Sequence, residues 1–154
     1  MLCCMLPDFE SNGNLPPGIH SASWAEFGTR FAWNEHRERL CDGLRRALSL
    51  LLVVGCADVF IDGSYVTAKE VPNDYDGAWS LAGVDLVLLK RLEPLFFEFS
   101  FGRTAQKAKF FGEFFPAEMQ EGQSGKPFLS FFQRDKETGQ AKGIVRIPLR
   151  TLHD

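Results

Sequence analysis

The chain has 154 residues and a mass of 17.3 kDa, enough for one domain of ordinary size and too little for two. Hydrophobic residues make up 45% and charged residues 24%, a balance that excludes disordered and collagen-like chains and predicts a buried core. The formal net charge of −3 excludes a surface that is a uniform cationic sheath for nucleic acid, and leaves room for a local basic face.

Met1 to Pro7 is apolar but has no basic segment and runs straight into an acidic, Gly/Pro-rich stretch, which argues against a signal peptide. Cys3, Cys4, Cys41 and Cys56 lack C-x-x-C spacing and predict free thiols in a reducing cytosol. Residues 7–20 (PDFESNGNLPPGIH) are crowded with Pro, Gly and Asn, so residues 1–20 are expected to form an extended arm ahead of a single domain over 21–154. Ser23-Trp24-Ala25-Glu26 reads as a capping box that starts a helix. From Asn34 to Val54, Leu40, Leu44, Ala47, Leu48 and Leu51 keep helical spacing, with Arg37, Arg39, Arg45 and Arg46 mostly elsewhere on the wheel and Gly55 as the stop. The longest apolar run, Ala47 to Val54, falls well short of a bilayer, so a cytoplasmic protein with no membrane partner is expected.

Ala57 to Asp62 predicts a core strand ending at Gly63-Ser64, and Asp76 to Ser80 a second strand. Val84 to Leu92 predicts a helix that Pro94 ends or interrupts, and Arg103 to Lys109 a short helix leading into a strand over Phe110 to Phe115. The Phe128 to Phe132 run, a charged turn over Asp135 to Gly139 and a final strand over Gly143 to Ile147 complete the chain. This order predicts an α+β (mixed α/β) fold, a small mixed sheet flanked by helices. Phe is abundant, at 15 copies against 2 Tyr, and the adjacent pairs are expected to fill the core.

The chemistry is concentrated in residues 62–76, DGSYVTAKEVPNDYD. A Gly-Ser just past a strand lets backbone amides and a hydroxyl approach phosphate oxygens. Asp74 and Asp76 are one residue apart at the start of the next strand, so both carboxylates point to one face and can share divalent cations. After Pro72-Asn73 they also fit an ordinary turn, and the upstream Gly-Ser favours the site. Glu113 is the candidate third carboxylate, with Gly112 leaving room beside it, and Glu118 is the second choice. Residues 61–102 carry 3 basic and 7 acidic side chains and residues 103–154 carry 9 and 6, which suits a metal-holding region beside a phosphate-receiving one. Lys107 and Lys109 read as phosphate contacts or as solvated helix-end lysines; Lys126, Arg134, Lys136, Lys142 and Arg146 read as a face for a phosphate-bearing acceptor or as a charged turn. His20 reads as a polar residue of the arm more readily than as a catalytic one.

Gly63-Ser64, a nine-residue spacer and Asp74-x-Asp76 resemble the fingerprint of the minimal nucleotidyltransferases of DNA polymerase beta type. More closely, the chain resembles an uncharacterised family of small bacterial and phage proteins, themselves predicted nucleotidyltransferases. They share L-P-P-G-I-H (Leu15 to His20), G-S-[FY]-V-T-x-K-x-x-P-x-D-x-D (Gly63 to Asp76), K-A-K-x-x-G-E (Lys107 to Glu113) and F-F-Q-x-D-K-x-T-G-x-x-K-G-I-V (Phe131 to Val145). The resemblance implies a nucleotidyltransferase fold with Gly63 and Ser64 on the triphosphate and Lys69 as a further phosphate contact. It implies Asp74, Asp76 and Glu113 as catalytic residues holding Mg²⁺ or Mn²⁺, with Glu113 the candidate base. The third carboxylate is commonly Asp in the superfamily and is Glu here.

The function expected is transfer of a nucleoside monophosphate from an NTP to a hydroxyl, with release of pyrophosphate. The acceptor would be RNA, such as a tRNA end, or a partner protein, in a toxin–antitoxin or phage-defence setting with a cognate toxin or antitoxin partner, by analogy at the level of the fold. The competing expectations are an inactive nucleotide- or partner-binding module of the same fold, and a structural protein that associates through its phenylalanines.

Overall fold

The computed structural model describes residues 6–154, so Cys3, Cys4 and the start of the arm lie outside the described residues. Both halves of the predicted capping box form: Ser23 Oγ accepts from the Glu26 amide at 3.1 Å and Glu26 Oε2 from the Ser23 amide at 2.8 Å, opening α1 (Trp24–Phe31). Asn34 caps α2 (Glu35–Val53), its Oδ1 accepting from the Arg37 amide at 2.8 Å. Helices α3 (Leu86–Leu92), α4 (Thr104–Phe110) and the one-turn α5 (Phe128–Phe131) follow. The strands are β1 (Gly18–Ser21), β2 (Asp58–Asp62), β3 (Tyr75–Trp79), β4 (Gly112–Pro116) and β5 (Gly143–Pro148).

They form one mixed sheet in the order β1-β5-β2-β3-β4, with β1 parallel to β5, β3 parallel to β4 and antiparallel pairs between. The mixed α+β class expected from the sequence is the one observed. Period-two alternation divides the strand residues between two cores. Val59, Ile61, Tyr75, Trp79, Phe114 and Val145 pack beneath α1 to α4, while Ala78, Phe115 and Ile144 meet Ala117, Phe128 and Phe132 on the opposite face. The adjacent phenylalanines are core, as expected.

Three local outcomes differ from the sequence reading. The arm does not stay apart from the domain: its end is β1, which pairs along β5, and Leu15 is buried in the main core. Phe110 and Phe111 end α4 rather than begin β4, because Phe111 closes the helix in the left-handed region (φ +65°) and the Phe110 carbonyl accepts from the buried Tyr75 hydroxyl at 2.6 Å. Arg37, expected on the outer face of α2, is completely buried.

Among the described residues Arg37 has no carboxylate against it, and its guanidinium donates to backbone carbonyls. Nη1 reaches Phe31 and Tyr65 at 2.9 and 2.7 Å, Nη2 reaches Thr67 and Lys69, and Nε reaches Lys69 at 3.1 Å. The Trp33 ring covers it, with its centroid 3.5 Å from the guanidinium carbon. Burial lowers its pKa to about 10, so it stays charged at neutral pH. Two neighbours on the same turn extend the clamp, Asn34 Nδ2 donating to the Glu70 carbonyl at 2.8 Å and His36 Nε2 to the Pro72 carbonyl at 2.5 Å. Carbonyls only accept, so Nε2 of His36 carries its proton.

Removing the guanidinium strands the buried carbonyls of Phe31 and Tyr65 and frees the part-buried ones of Thr67 and Lys69. Arg37→Met is therefore expected to lose about 3 kcal/mol of stability or more in urea unfolding, with faster amide exchange concentrated in residues 65–72. A loss below about 1 kcal/mol would mean that water replaces the guanidinium without difficulty.

Candidate active site

Sheet register builds the site. Asp62, the last residue of β2, lies opposite Asp76 in β3, and Asp76 lies opposite Glu113 in β4. Three adjacent strands thus present three carboxylates in one row on the face away from α1 to α4, with strands about 4.8 Å apart. Asp74 stands just ahead of β3, its Oδ2 4.0 Å from the Lys107 ammonium that pairs with Glu113, while Tyr75 after it turns into the main core. The predicted trio of Asp74, Asp76 and Glu113 is brought together, and Asp62 joins it as a fourth.

Like charges this close oppose one another, and the site answers with cations and with protonation. Lys142 Nζ pairs with Asp62 Oδ1 at 2.9 Å, the two side chains 15% and 3% exposed. Lys107 Nζ pairs with Glu113 Oε1 at 2.7 Å and lies 4.0 Å from Asp74 Oδ2. Asp76 has no such partner among the described residues. Burial, then the negative fields of Asp62, Asp74 and Glu113, push its carboxyl up to about 7. Burial also raises Asp74 and Asp62, against the pull of Lys107 and Lys142 respectively.

Gly63 turns the chain out of β2 with φ +91° and ψ −173°, a region that in practice only glycine occupies. A Cβ there would stand 3.2 Å from Asp76 Oδ2, so the backbone passes directly beside that carboxylate. Ser64 then opens a single 3₁₀ turn, Ser64–Val66. Gly112 serves a different purpose from the one expected: the space its missing Cβ leaves is filled by the Tyr75 ring, and a Cβ would collide with that ring.

Two cavities flank the carboxylates. One, of about 350 Å³, is lined by Asp76 and Glu113 together with Arg103, Lys136 and the rings of Phe115, Phe128, Phe131 and Phe132. The other, also about 350 Å³, joins Asp74 and Lys107 to His36, Arg39, Asn73 and Phe111. Arg103 lies in a run of three left-handed residues, Phe101 (φ +52°), Gly102 (φ +62°) and Arg103 (φ +59°), which turns its guanidinium onto the Phe115 ring, 3.9 Å from the centroid. A third cavity, about 510 Å³, is lined by Lys126, Arg134 and Lys142 with Ser130 and Gln133, and has no carboxylate in its wall.

The remaining expectations separate. Glu118 sits beyond the far end of β4, its carboxylate accepting from the Leu81 amide at 3.1 Å, away from the row. Lys69 is exposed, and its carbonyl, rather than its ammonium, is what the fold uses. His20 is occupied by the Pro16 carbonyl at 2.6 Å. Of the basic cluster, Lys126, Arg134 and Lys142 share a cavity and Lys136 lines the aromatic one, whereas Arg146 is paired with Asp58 at 2.8 Å. Lys109 is paired with Glu93 instead of facing the site. Cys41 and Cys56 are buried, which pushes both thiols up to about 11 and leaves them un-ionised. Asp62 and Arg103 went unrecognised in the sequence; the available signal for Asp62 was its place at the strand end immediately before Gly63-Ser64.

Carboxylate oxygens are the donor type that a hard divalent cation such as Mg²⁺ or Mn²⁺ takes, and a divalent charge would relieve the crowding at Asp76.

Without divalent cation, Asp76 retains a proton through a pH range in which the unfolded chain has already released it. The stability linked to this proton is present below the ordinary aspartate pKa and lost as pH rises through about 7. Asp76→Asn should therefore be more stable than the parent at pH 8, by about 1–3 kcal/mol, with the gap closing toward pH 4. Urea midpoints at the two pH values check this, and a less stable variant at pH 8 would refute the charge crowding.

Residues 7–148 match a family described as a family of unknown function (DUF6932). No curated protein and no solved structure matches the chain. No helix among the described residues is long and apolar enough to cross a membrane. Since the match spans nearly the whole chain, from the segment before β1 to the last residue of β5, the chain belongs to that family.

Proposed function

We propose that the protein is a metal-dependent nucleotidyltransferase that moves a nucleoside monophosphate from an NTP to a hydroxyl of an RNA acceptor. The observation that carries this reading is the alignment of Asp62, Asp76 and Glu113 on adjacent strands, with Asp74 beside them and the Gly63 backbone against Asp76. When bound at Asp74 and Asp76, a divalent cation would supply charge neutralisation at the reacting phosphate. Around it the chain offers groups that an NTP requires: the half-buried Phe131 ring for a base and the cations Arg103 and Lys136 for phosphates, in the cavity that Asp76 and Glu113 line.

In the proposed reaction the acceptor oxygen forms a bond to the α-phosphorus, the bond from that phosphorus to the β-bridging oxygen breaks, and pyrophosphate leaves. Glu113 takes the hydroxyl proton, and Arg103 meets the charge that develops on the departing oxygen. The basic cavity favours RNA over a protein side chain as acceptor, because Lys126 and Arg134 offer cations to a phosphate backbone there while Lys142 is held by Asp62. The alternative, a binding module without chemistry, is favoured by one observation: the Lys107 ammonium occupies Glu113 Oε1 at 2.7 Å, an oxygen that would have to receive the hydroxyl proton.

Incubation with Mn²⁺ or Mg²⁺, each α-labelled NTP and total RNA tests the proposal. Label is expected on RNA and should fall by about a thousandfold or more in the Asp74→Ala/Asp76→Ala double variant. Labelling that survives in the variant, or nucleotide binding with no labelling, would reject it. Lys126→Gln with Arg134→Gln should weaken RNA binding and reduce the salt slope by about 1–2 while leaving NTP affinity unchanged.

A further inference from the structure

Four carboxylates meet at the end of the sheet, and two of them already touch a cation. The contact at Lys107 is the more telling. Its ammonium lies between Glu113 in β4, at 2.7 Å, and Asp74 at the entry to β3, at 4.0 Å, so one charge spans carboxylates from two neighbouring elements. Bridging of that kind is what a metal ion does in a site that clamps both oxygens of a displacement.

The ammonium is delivered by a tight connection. Lys107 stands in the last turn of α4, the Phe111 amide closes that turn on the Lys107 carbonyl at 3.0 Å, and the left-handed Phe111 redirects the chain so that Glu113 faces back toward Lys107. Lysine and glutamate of a single helix-to-strand turn therefore meet whenever β4 is in place. The Lys107 side chain is 45% exposed, with its charged end between the two carboxylates at the mouth of a cavity. Its proton is held more firmly than usual, first through the hydrogen bond to Glu113.

Resting on the reading that this cluster binds a divalent cation with an NTP, we propose that Lys107 is a resident cation standing in for a second metal ion. The chain then takes one divalent cation, at Asp74 and Asp76, and Lys107 keeps Glu113 out of its coordination. A second ion would have to displace the ammonium from Glu113 and remain beside it, against like-charge repulsion. Unlike a metal ion, a lysine cannot be diluted away or chelated, so the Glu113 side of the site stays neutralised at any metal concentration.

Mn²⁺ binding, by calorimetry and by electron paramagnetic resonance with a non-hydrolysable NTP analogue, tests the proposal. The parent and Lys107→Arg should bind one ion per chain. Lys107→Gln should bind two, with spin–spin broadening between them, and should hold the first roughly tenfold more tightly, the scale of one screened neighbouring charge. Two ions on the parent, or one ion on Lys107→Gln at unchanged affinity, would overturn it. The parent's stoichiometry decides even if the Gln variant fails to fold. Absence of Mn²⁺ binding by the parent, with and without the analogue, would instead remove the nucleotidyltransferase reading and this proposal with it.

Discussion

The arrangement of the carboxylates depends on one buried guanidinium. Arg37 spends its donors on the carbonyls of Phe31, Tyr65, Thr67 and Lys69, and with Asn34 and His36 it fixes the irregular segment that joins Gly63-Ser64 to Asp74-x-Asp76. Beyond the 3₁₀ turn at Ser64–Val66 this segment has no ladder or helix of its own to satisfy its backbone, and leaving its buried carbonyls unpaired would be costly. The first turn of α2 acts as a template: its side chains take up carbonyls of residues 65, 67, 69, 70 and 72, so the distance between the glycine turn and the aspartates is set by a helix that contributes no carboxylate to the cluster. The Tyr65 hydroxyl closes the loop by donating to the Arg37 carbonyl at 3.0 Å.

A fixed segment allows a destabilising arrangement to persist. Carboxylates aligned across neighbouring strands repel, and Asp76 has no direct counter-charge among the described residues. The opposite face supplies the compensation, with Tyr75, Trp79 and Phe114 buried in the main core within or beside the strands that carry the acids. Lys107 and Lys142 pair with the flanking carboxylates, and Asp76 between them, with no direct partner among the described residues, has its carboxyl pushed up to about 7.

Much of this was legible beforehand, and the reasons are local. The capping box at Ser23, the heptad-like face of α2 and the alternation in β2 and β5 are short-range patterns that the fold does not override. Asp74, Asp76 and Glu113 were readable because period-two geometry and a following glycine-bounded strand determine direction. What failed to show were properties of partners distant in sequence. Arg37 looked like an outer-face arginine because the carbonyls that accept it lie some thirty residues downstream. Asp62 looked like a strand end because its alignment with Asp76 is a matter of register. The arm looked separate because β1 has only four residues and pairs with the last strand of the sheet.

That last pairing bears on how the molecule is made. β5 is the last of the five described strands in sequence and lies inside the sheet, between β1 and β2. Until it arrives, β1 has no neighbour and β2 presents a bare edge, so a nascent chain lacking its last strand has two unfinished seams instead of a smaller sheet. Contacts between segments so far apart in sequence are slow to form, because loop closure precedes any gain from them. Lys142 directly precedes β5 and reaches Asp62 once the strand is inserted. Neutralisation of the acidic row on that side is thus among the last events of folding, and the cluster cannot mature on a ribosome-bound fragment that still lacks residues 142–148.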